Sequence, residues 1–210
     1  VAKGEVLALL GRNGAGKSTL LKTIMHLVQI ETGQILYQGE AINRWPSHRI
    51  CRRGIGYVPE ERRIFGTLTV EKNLLAGQLP ARPGLPGWTL EAIYRLFPAL
   101  AERRHTAGRR ISGGEQQMLA IARTLMGNPE LILIDEMSEG LAPLVVEQLA
   151  ARLQDLKHQG VTFILSEQNL RVARLIADRV CLLESGVVKF SGTFSELEAR
   201  PQLSADHLSL

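Results

Sequence analysis

Residues Gly11-Arg12-Asn13-Gly14-Ala15-Gly16-Lys17-Ser18-Thr19 have the types and spacing needed to hold a phosphate chain. They fit the pattern G-x-x-x-x-G-K-[ST] in its required context, with an apolar run, Val6–Leu10, before it and a helix-forming stretch after it. Gly14 and Gly16 let the backbone curl so that several N–H groups point inward as a nest for phosphate oxygens. A helix starting near Lys17 adds the positive end of its dipole. Lys17 can reach β- and γ-phosphates, and the Ser18 hydroxyl can ligate Mg²⁺. The plain alternative is a glycine turn with a solvated lysine, and the flanking strand and helix weigh against it.

Two further stretches could work with that loop. Leu131-Ile132-Leu133-Ile134-Asp135-Glu136 is an apolar strand ending in two carboxylates. Alone it reads equally as a core strand with a charged end. Beside a phosphate loop it reads as a Walker B strand. Asp135 then holds Mg²⁺ through water, and Glu136 polarises the water that attacks the γ-phosphate. Upstream, Ile111-Ser112-Gly113-Gly114-Glu115-Gln116-Gln117 precedes an apolar stripe of Met118, Ile121, Ala122 and Leu125 at helical spacing. The Ser-Gly-Gly turn therefore sits at a helix N-terminus, either as a simple cap or as a second anion site. One chain has little use for two γ-phosphate sites, whereas two chains arranged head to tail need both.

Strand-like and helix-like stretches alternate, which implies a mostly parallel sheet. Buried strands are expected at Val6–Leu10, Ile55–Val58, Leu131–Ile134, Val161–Leu165 and Val180–Leu183. The run Gln34–Gln38, bounded by Gly33 and Gly39, reads as a hairpin strand of a separate β-layer. Helices are expected after Lys17, Thr69 and Gly114, and from about Leu144 to His158, where Leu149, Leu153 and Leu156 share a face. Arg179–Glu184 and Val187–Ser191 flank Ser185-Gly186, a hairpin signal. Leu79–Gly87 is rich in Pro and Gly and reads as a loop inside a helical insertion spanning about 66–127. No internal repeat or heptad pattern is visible.

Composition narrows the class. A chain of 210 residues can bury one sizeable core. No apolar run spans a bilayer, and no signal peptide is visible. Cys51 and Cys181 form no C-x-x-C, and Cys181 lies in an apolar run, so a buried thiol is expected and a reducing cytoplasm fits. The net charge of +4 raises the question of nucleic acid. The arginines gather at 44–63 and 95–110, but Trp45 and Tyr94 stand alone and make no stacking platform. A solvated face, an acidic partner or anionic headgroups explain the arginines as well. The opening Val1-Ala2-Lys3-Gly4, without methionine, reads as a fragment.

The phosphate loop, the Ser112–Gln116 turn and the strand ending in Asp135-Glu136, in this order and spacing, resemble the nucleotide-binding subunit of an ATP-binding cassette (ABC) transporter. The resemblance covers the chain from Gly4 onward. Gly56–Phe65, Leu68–Leu74, Gly113–Met118 and Ser138-Glu139-Gly140-Leu141-Ala142-Pro143 narrow it to the ATPases of branched-chain amino acid importers and their amide and urea relatives. The implied fold is an α/β P-loop NTPase of ABC type, one domain over 1–210. It has a mostly parallel core sheet, an antiparallel β-layer and a small helical subdomain, with N-terminal strands missing. The core lobe would span about 1–65 and 128–210.

The resemblance also implies roles. Gly11, Asn13, Gly14, Ala15, Gly16, Lys17, Ser18 and Thr19 bind ATP, while Ser18, Asp135 and Glu60 serve Mg²⁺. Glu136 and Gln168 are catalytic. Ser112, Gly113, Gly114 and Glu115 close on the nucleotide of the opposite subunit. Glu60 occupies the Q-loop, and Ser138 and Ala142 the D-loop. Implied partners are permease subunits, a second ATPase subunit (identical or paralogous) and, indirectly, a periplasmic or extracellular solute-binding protein. No nucleic acid is expected, and the chain would lie at the cytoplasmic face of the inner membrane.

Some positions depart from the general pattern. Glu60 stands for the usual glutamine and Gln168 for the usual histidine, both as in the branched-chain amino acid branch. Met137 stands where proline is usual, and Ala142 replaces the D-loop aspartate. The missing strands would carry the aromatic that stacks on adenine. Two rival readings belong to other classes: a soluble ABC protein of DNA repair or translation, and a regulatory subunit that binds nucleotide with little catalysis. The lack of a coiled coil or second cassette weighs against the first. Lys17 and Glu136 weigh against the second.

Overall fold

The computed structural model describes residues 1–82 and 87–200. Of the Pro/Gly-rich loop expected over Leu79–Gly87, residues 83–86 lie outside the described residues, and 79–82 and 87 belong to no helix or strand. The elements follow in chain order as β1 (Val6–Leu10), α1 (Lys17–Ile24), β2 (Leu36–Tyr37), β3 (Glu40–Ala41), α2 (Ser47–Arg53) and β4 (Ile55–Val58). Then come α3 (Val70–Ala76), α4 (Leu90–Leu96), α5 (Pro98–Glu102), a 3-10 turn (Gly108–Arg110) and α6 (Gly113–Leu125). The last third holds β5 (Leu131–Asp135), α7 (Pro143–His158), β6 (Thr162–Glu167), α8 (Leu170–Ile176), β7 (Arg179–Glu184), β8 (Val187–Thr193) and α9 (Phe194–Glu198).

Six strands form one sheet in the order β4-β5-β6-β1-β7-β8. Every pairing from β4 to β7 is parallel, and the final β7–β8 hairpin is antiparallel. The period of two along each strand divides the core. Leu9, Leu133, Cys181 and Leu183 meet Leu21 and Met25 on one face. On the other face, Ala8, Leu10, Val180 and Leu182 pack with Ala173 of α8. Further along that face, Ile132, Ile134, Phe163 and Leu165 belong to a larger cluster that takes in the buried sides of α6 and α7. Leu149, Leu153 and Leu156 are all buried, as their shared helical face requires.

The expected strands are present, with β6 starting one residue later than the apolar run and reaching on to Glu167. The Gln34–Gln38 strand is shorter than expected, only Leu36–Tyr37, and pairs with β3 in a separate two-stranded sheet. Gly39, at φ 80°, makes the turn between them. The helices α2, α4, α5, α8 and α9 are five to seven residues each, too short to show a clear apolar period. Helices α3 to α6 gather between β4 and β5. Cys181 is buried on β7 and Cys51 half-buried on α2, and both are free thiols.

Candidate active site

The parallel strands end at one edge, and there the loops carry the polar groups. Gly11 ends β1 at φ 155°, and a Cβ there would lie 2.4 Å from the carbonyl oxygen of Leu183, so only glycine fits. Gly14 (φ 81°) and Gly16 (φ 102°) complete the curl, and Gly16 caps α1. The N–H of Gly186 in the β7–β8 turn donates to the Ala15 carbonyl at 2.9 Å, pressing the loop against the hairpin.

Lys17 is 3 % exposed, yet its charge is matched on every side. Its Nζ donates to the carbonyls of Gly11 (2.8 Å) and Arg12 (3.2 Å) and lies 3.1 Å from Oε1 of Glu136. The Ser18 hydroxyl donates to Oδ1 of Asp135 at 2.9 Å. Asp135 also accepts from Ser166 (2.7 Å) and from the Tyr57 hydroxyl (3.2 Å). Burial, and then the Asp135 charge, push the Tyr57 hydroxyl well above its ordinary range. Glu136 holds φ 49°, a left-handed conformation that costs a non-glycine residue about 1–3 kcal/mol and is characteristic of functional sites. Its N–H donates to both the carbonyl and the hydroxyl of Ser166, each at 3.1 Å. Nε2 of Gln168 donates to its Oε2 at 2.5 Å.

Of these groups, Lys17, Ser18 and Glu136 face a cleft of about 320 Å³, with Asn13–Thr19 on one side and Glu60, Glu136 and Glu139 on the other. The Glu60 carboxyl is pushed above its ordinary range, first by its hydrogen bond with Glu139, then by burial and the charges of Glu139, Glu136 and Asp135. Ser18 and Asp135 supply hard oxygens to one point, which suits Mg²⁺. Among the described residues no three carboxylates, histidines or cysteines converge on a metal position.

Ser112, Gly113, Gly114 and Glu115 are not part of this cleft. Ser112 caps α6 in a capping box: its Oγ accepts from the Glu115 N–H (3.3 Å), and its own N–H donates to the Glu115 carboxylate (2.7 Å). Ser112 and Gly113 are exposed, while Gly114 is buried against Val145. Ala142 precedes α7 as an exposed residue.

Tyr57, Ser166 and Glu167 escape sequence reasoning. Glu167, at the end of β6, is 1 % exposed and accepts from the Ser138 N–H (3.1 Å) and hydroxyl (2.8 Å). Burial pushes its carboxyl up to about 7 against the bonds from Ser138. Its place between Ser166 and Gln168 was the available signal. Tyr57 gave none, because its partner Asp135 lies 78 positions away.

A parallel sheet flanked by helices, with a glycine-rich loop between the first strand and first helix and an acidic strand end beside it, defines a P-loop nucleotide-binding protein. The family described as ABC transporter matches residues 1–139, and the chain belongs to that family. It is 43% identical over 208 residues to the high-affinity branched-chain amino acid transport ATP-binding protein BraG of Pseudomonas aeruginosa, covering 99% of this chain and 89% of that one. To the lipopolysaccharide export system ATP-binding protein LptB of Haemophilus influenzae it is 34% identical, covering 92% and 81%. Among solved structures, it is similar to an ATP-binding cassette in a dimeric, post-hydrolysis state bound to ADP and Pi. There the TM-score is 0.77 at 25% identity, covering 92% of this chain and 87% of that one.

Proposed function

We propose that the chain is the ATP-hydrolysing subunit of an importer for branched-chain amino acids or related amides or urea. The observation that carries the solute class is the 43% identity to BraG across nearly the whole chain, well above the 34% to LptB. The observation that supports catalysis is the bonded set of Lys17, Ser18, Asp135, Glu136 and Gln168 around one cleft.

In this reading the N–H groups of Gly11–Thr19 and the Lys17 ammonium hold the phosphates of ATP. Ser18 and Asp135, with Glu60 at the rim, hold Mg²⁺, which neutralises phosphate charge. Lys17 exchanges its bond to Glu136 for phosphate oxygens. That frees the Glu136 carboxylate to accept a proton from the attacking water, while Gln168 orients both. Ser112–Glu115 of a second subunit, identical or paralogous in sequence, complete the site, and Ser138–Ala142 lie at the seam between subunits. The dimeric cassette bound to ADP and Pi supports that arrangement. Residues of about 66–127 form a helical subdomain against a core lobe of about 1–65 and 128–210. No described helix is long and apolar enough to cross a membrane, which fits a peripheral subunit held to a permease at the cytoplasmic face.

The test is leucine uptake in cells that express the chain with its permease and binding protein. Uptake that vanishes in Glu136→Gln supports the reading. ATP turnover with no uptake of any branched-chain amino acid, amide or urea overturns the solute class.

A further inference from the structure

The segment after Glu60 is strained in a way that catalysis does not require. Arg62 and Arg63 are both left-handed, at φ 61° and 46°. Such a conformation is costly for a non-glycine residue unless its surroundings impose it. Here the surroundings are α6. Nη2 of Arg123 donates to the carbonyls of Arg62 (3.4 Å) and Arg63 (2.8 Å).

The reverse contact runs from Arg62 to the front of the same helix. Its Nε donates to Oε1 of Gln117 at 3.2 Å, and its Nη1 to Oε1 of Gln116 at 3.5 Å. A Cβ placed on Gly113 would lie 3.3 Å from Nη1, so the guanidinium rests on the glycine that follows Ser112. The seam is also imperfectly satisfied. Gln117 is 2 % exposed, and its Nε2, like Nη1 of Arg123, finds no acceptor among the described residues. Backbone strain on one side and unmet donors on the other describe a joint that can gain bonds by shifting. One end of the joint is two residues from Glu60 in the wall of the cleft. The other is the Ser112 turn.

We infer that Arg62 is a positioning residue that ties Glu60 to Ser112–Gly114, so that filling the cleft of one subunit orients the turn it offers to the other. The inference rests on the proposed two-subunit site. Arg62 does not touch the cleft, so its removal leaves nucleotide binding by a single chain intact. What it removes is the orientation of the turn.

The experiment compares Arg62→Ala, Arg62→Lys and Arg63→Gly, each in the parent and in Glu136→Gln. Loss of a charge-assisted contact corresponds to a change of about tenfold or more. For Arg62→Ala we expect kcat and ATP-driven pairing of the Glu136→Gln form each to fall by about that factor, with ATP affinity by calorimetry unchanged. Arg62→Lys, which keeps the charge but not the fork, recovers part of the loss, and it carries the test should Arg62→Ala not fold. Arg63→Gly relieves strain, keeps the guanidinium of Arg62 and pairs like the parent. Parental kcat and pairing in Arg62→Ala overturn the inference. Failure of Glu136→Gln itself to pair, with any paralogous partner supplied, overturns the two-subunit reading on which it rests.

Discussion

The phosphate loop and the Ser112 turn are both glycine-rich stretches at helix starts, yet they are built in opposite ways. Around the loop the polar groups are buried or half-buried and bonded to one another: Lys17 to Glu136, Ser18 to Asp135, Gln168 to Glu136. At the turn, Ser112 and Gly113 are exposed, and the bonds present serve to cap α6 and tie it to Arg62. The first site is bonded within itself. The second presents itself outward. Substitutions at the loop should therefore act on a single chain, and those at the turn mainly on a pair.

The largest effect is expected at Glu136. General-base catalysis contributes about 10²- to 10⁴-fold, so Glu136→Gln should lower kcat by that range. ATP binding should persist, because Lys17 keeps the carbonyls of Gly11 and Arg12. Phosphate release and calorimetry together check this, and parental turnover would remove Glu136 from catalysis.

Next comes Glu167, which links the loop edge to the Ser138 turn. Its folded-state pKa of about 7 lies above the ordinary 4.5. The protonated acid's contribution to stability is thus fully present below about pH 4.5 and lost as pH rises through about 7. Glu167→Gln abolishes that slope. Its unfolding free energy relative to the parent should rise by about 3 kcal/mol from pH 4.5 to 8 in denaturant titrations. A constant difference across the window would mean that Glu167 does not titrate there.

Lys17→Ala removes a charge-assisted phosphate contact of roughly 1.5–3 kcal/mol, so ATP affinity should drop about ten- to a hundredfold. Unchanged affinity in calorimetry would detach the loop from phosphate binding. The smallest effect on a single chain is expected from Ser112→Ala, the loss of a cap worth about 1 kcal/mol. Thermal unfolding should show it while ATP affinity stays level. In the Glu136→Gln background the same change should weaken ATP-driven pairing. If Ser112→Ala lowers single-chain ATP affinity instead, the contrast between the two sites is wrong.

The elements of this contrast were readable to different depths. Apolar runs bounded by glycine or charge marked β1, β4, β5 and β7 nearly to the residue, because buried parallel strands need both faces apolar. The glycine pattern marked the phosphate loop, and the apolar stripe of Met118, Ile121, Ala122 and Leu125 marked α6. Short helices such as α2 and α8 left no period to read. The bonds that assemble the site were also hidden. Tyr57 meets Asp135, and Arg62 meets Gln117, only because β4 lies beside β5 and α6 lies over β4. No local pattern encodes strand order.

The placement of β1 sets the order in which this protein can be assembled. The loop motif is complete by Thr19, but its strand lies between β6 and β7, and its carbonyl at Ala15 is met by Gly186. The residues up to Gly186 must therefore be synthesised before the cradle acquires all its walls. Until then the nascent chain carries the glycine-rich thread without the β6 and β7 walls that flank it. Each newborn copy gains its assembled cradle only when the closing hairpin docks.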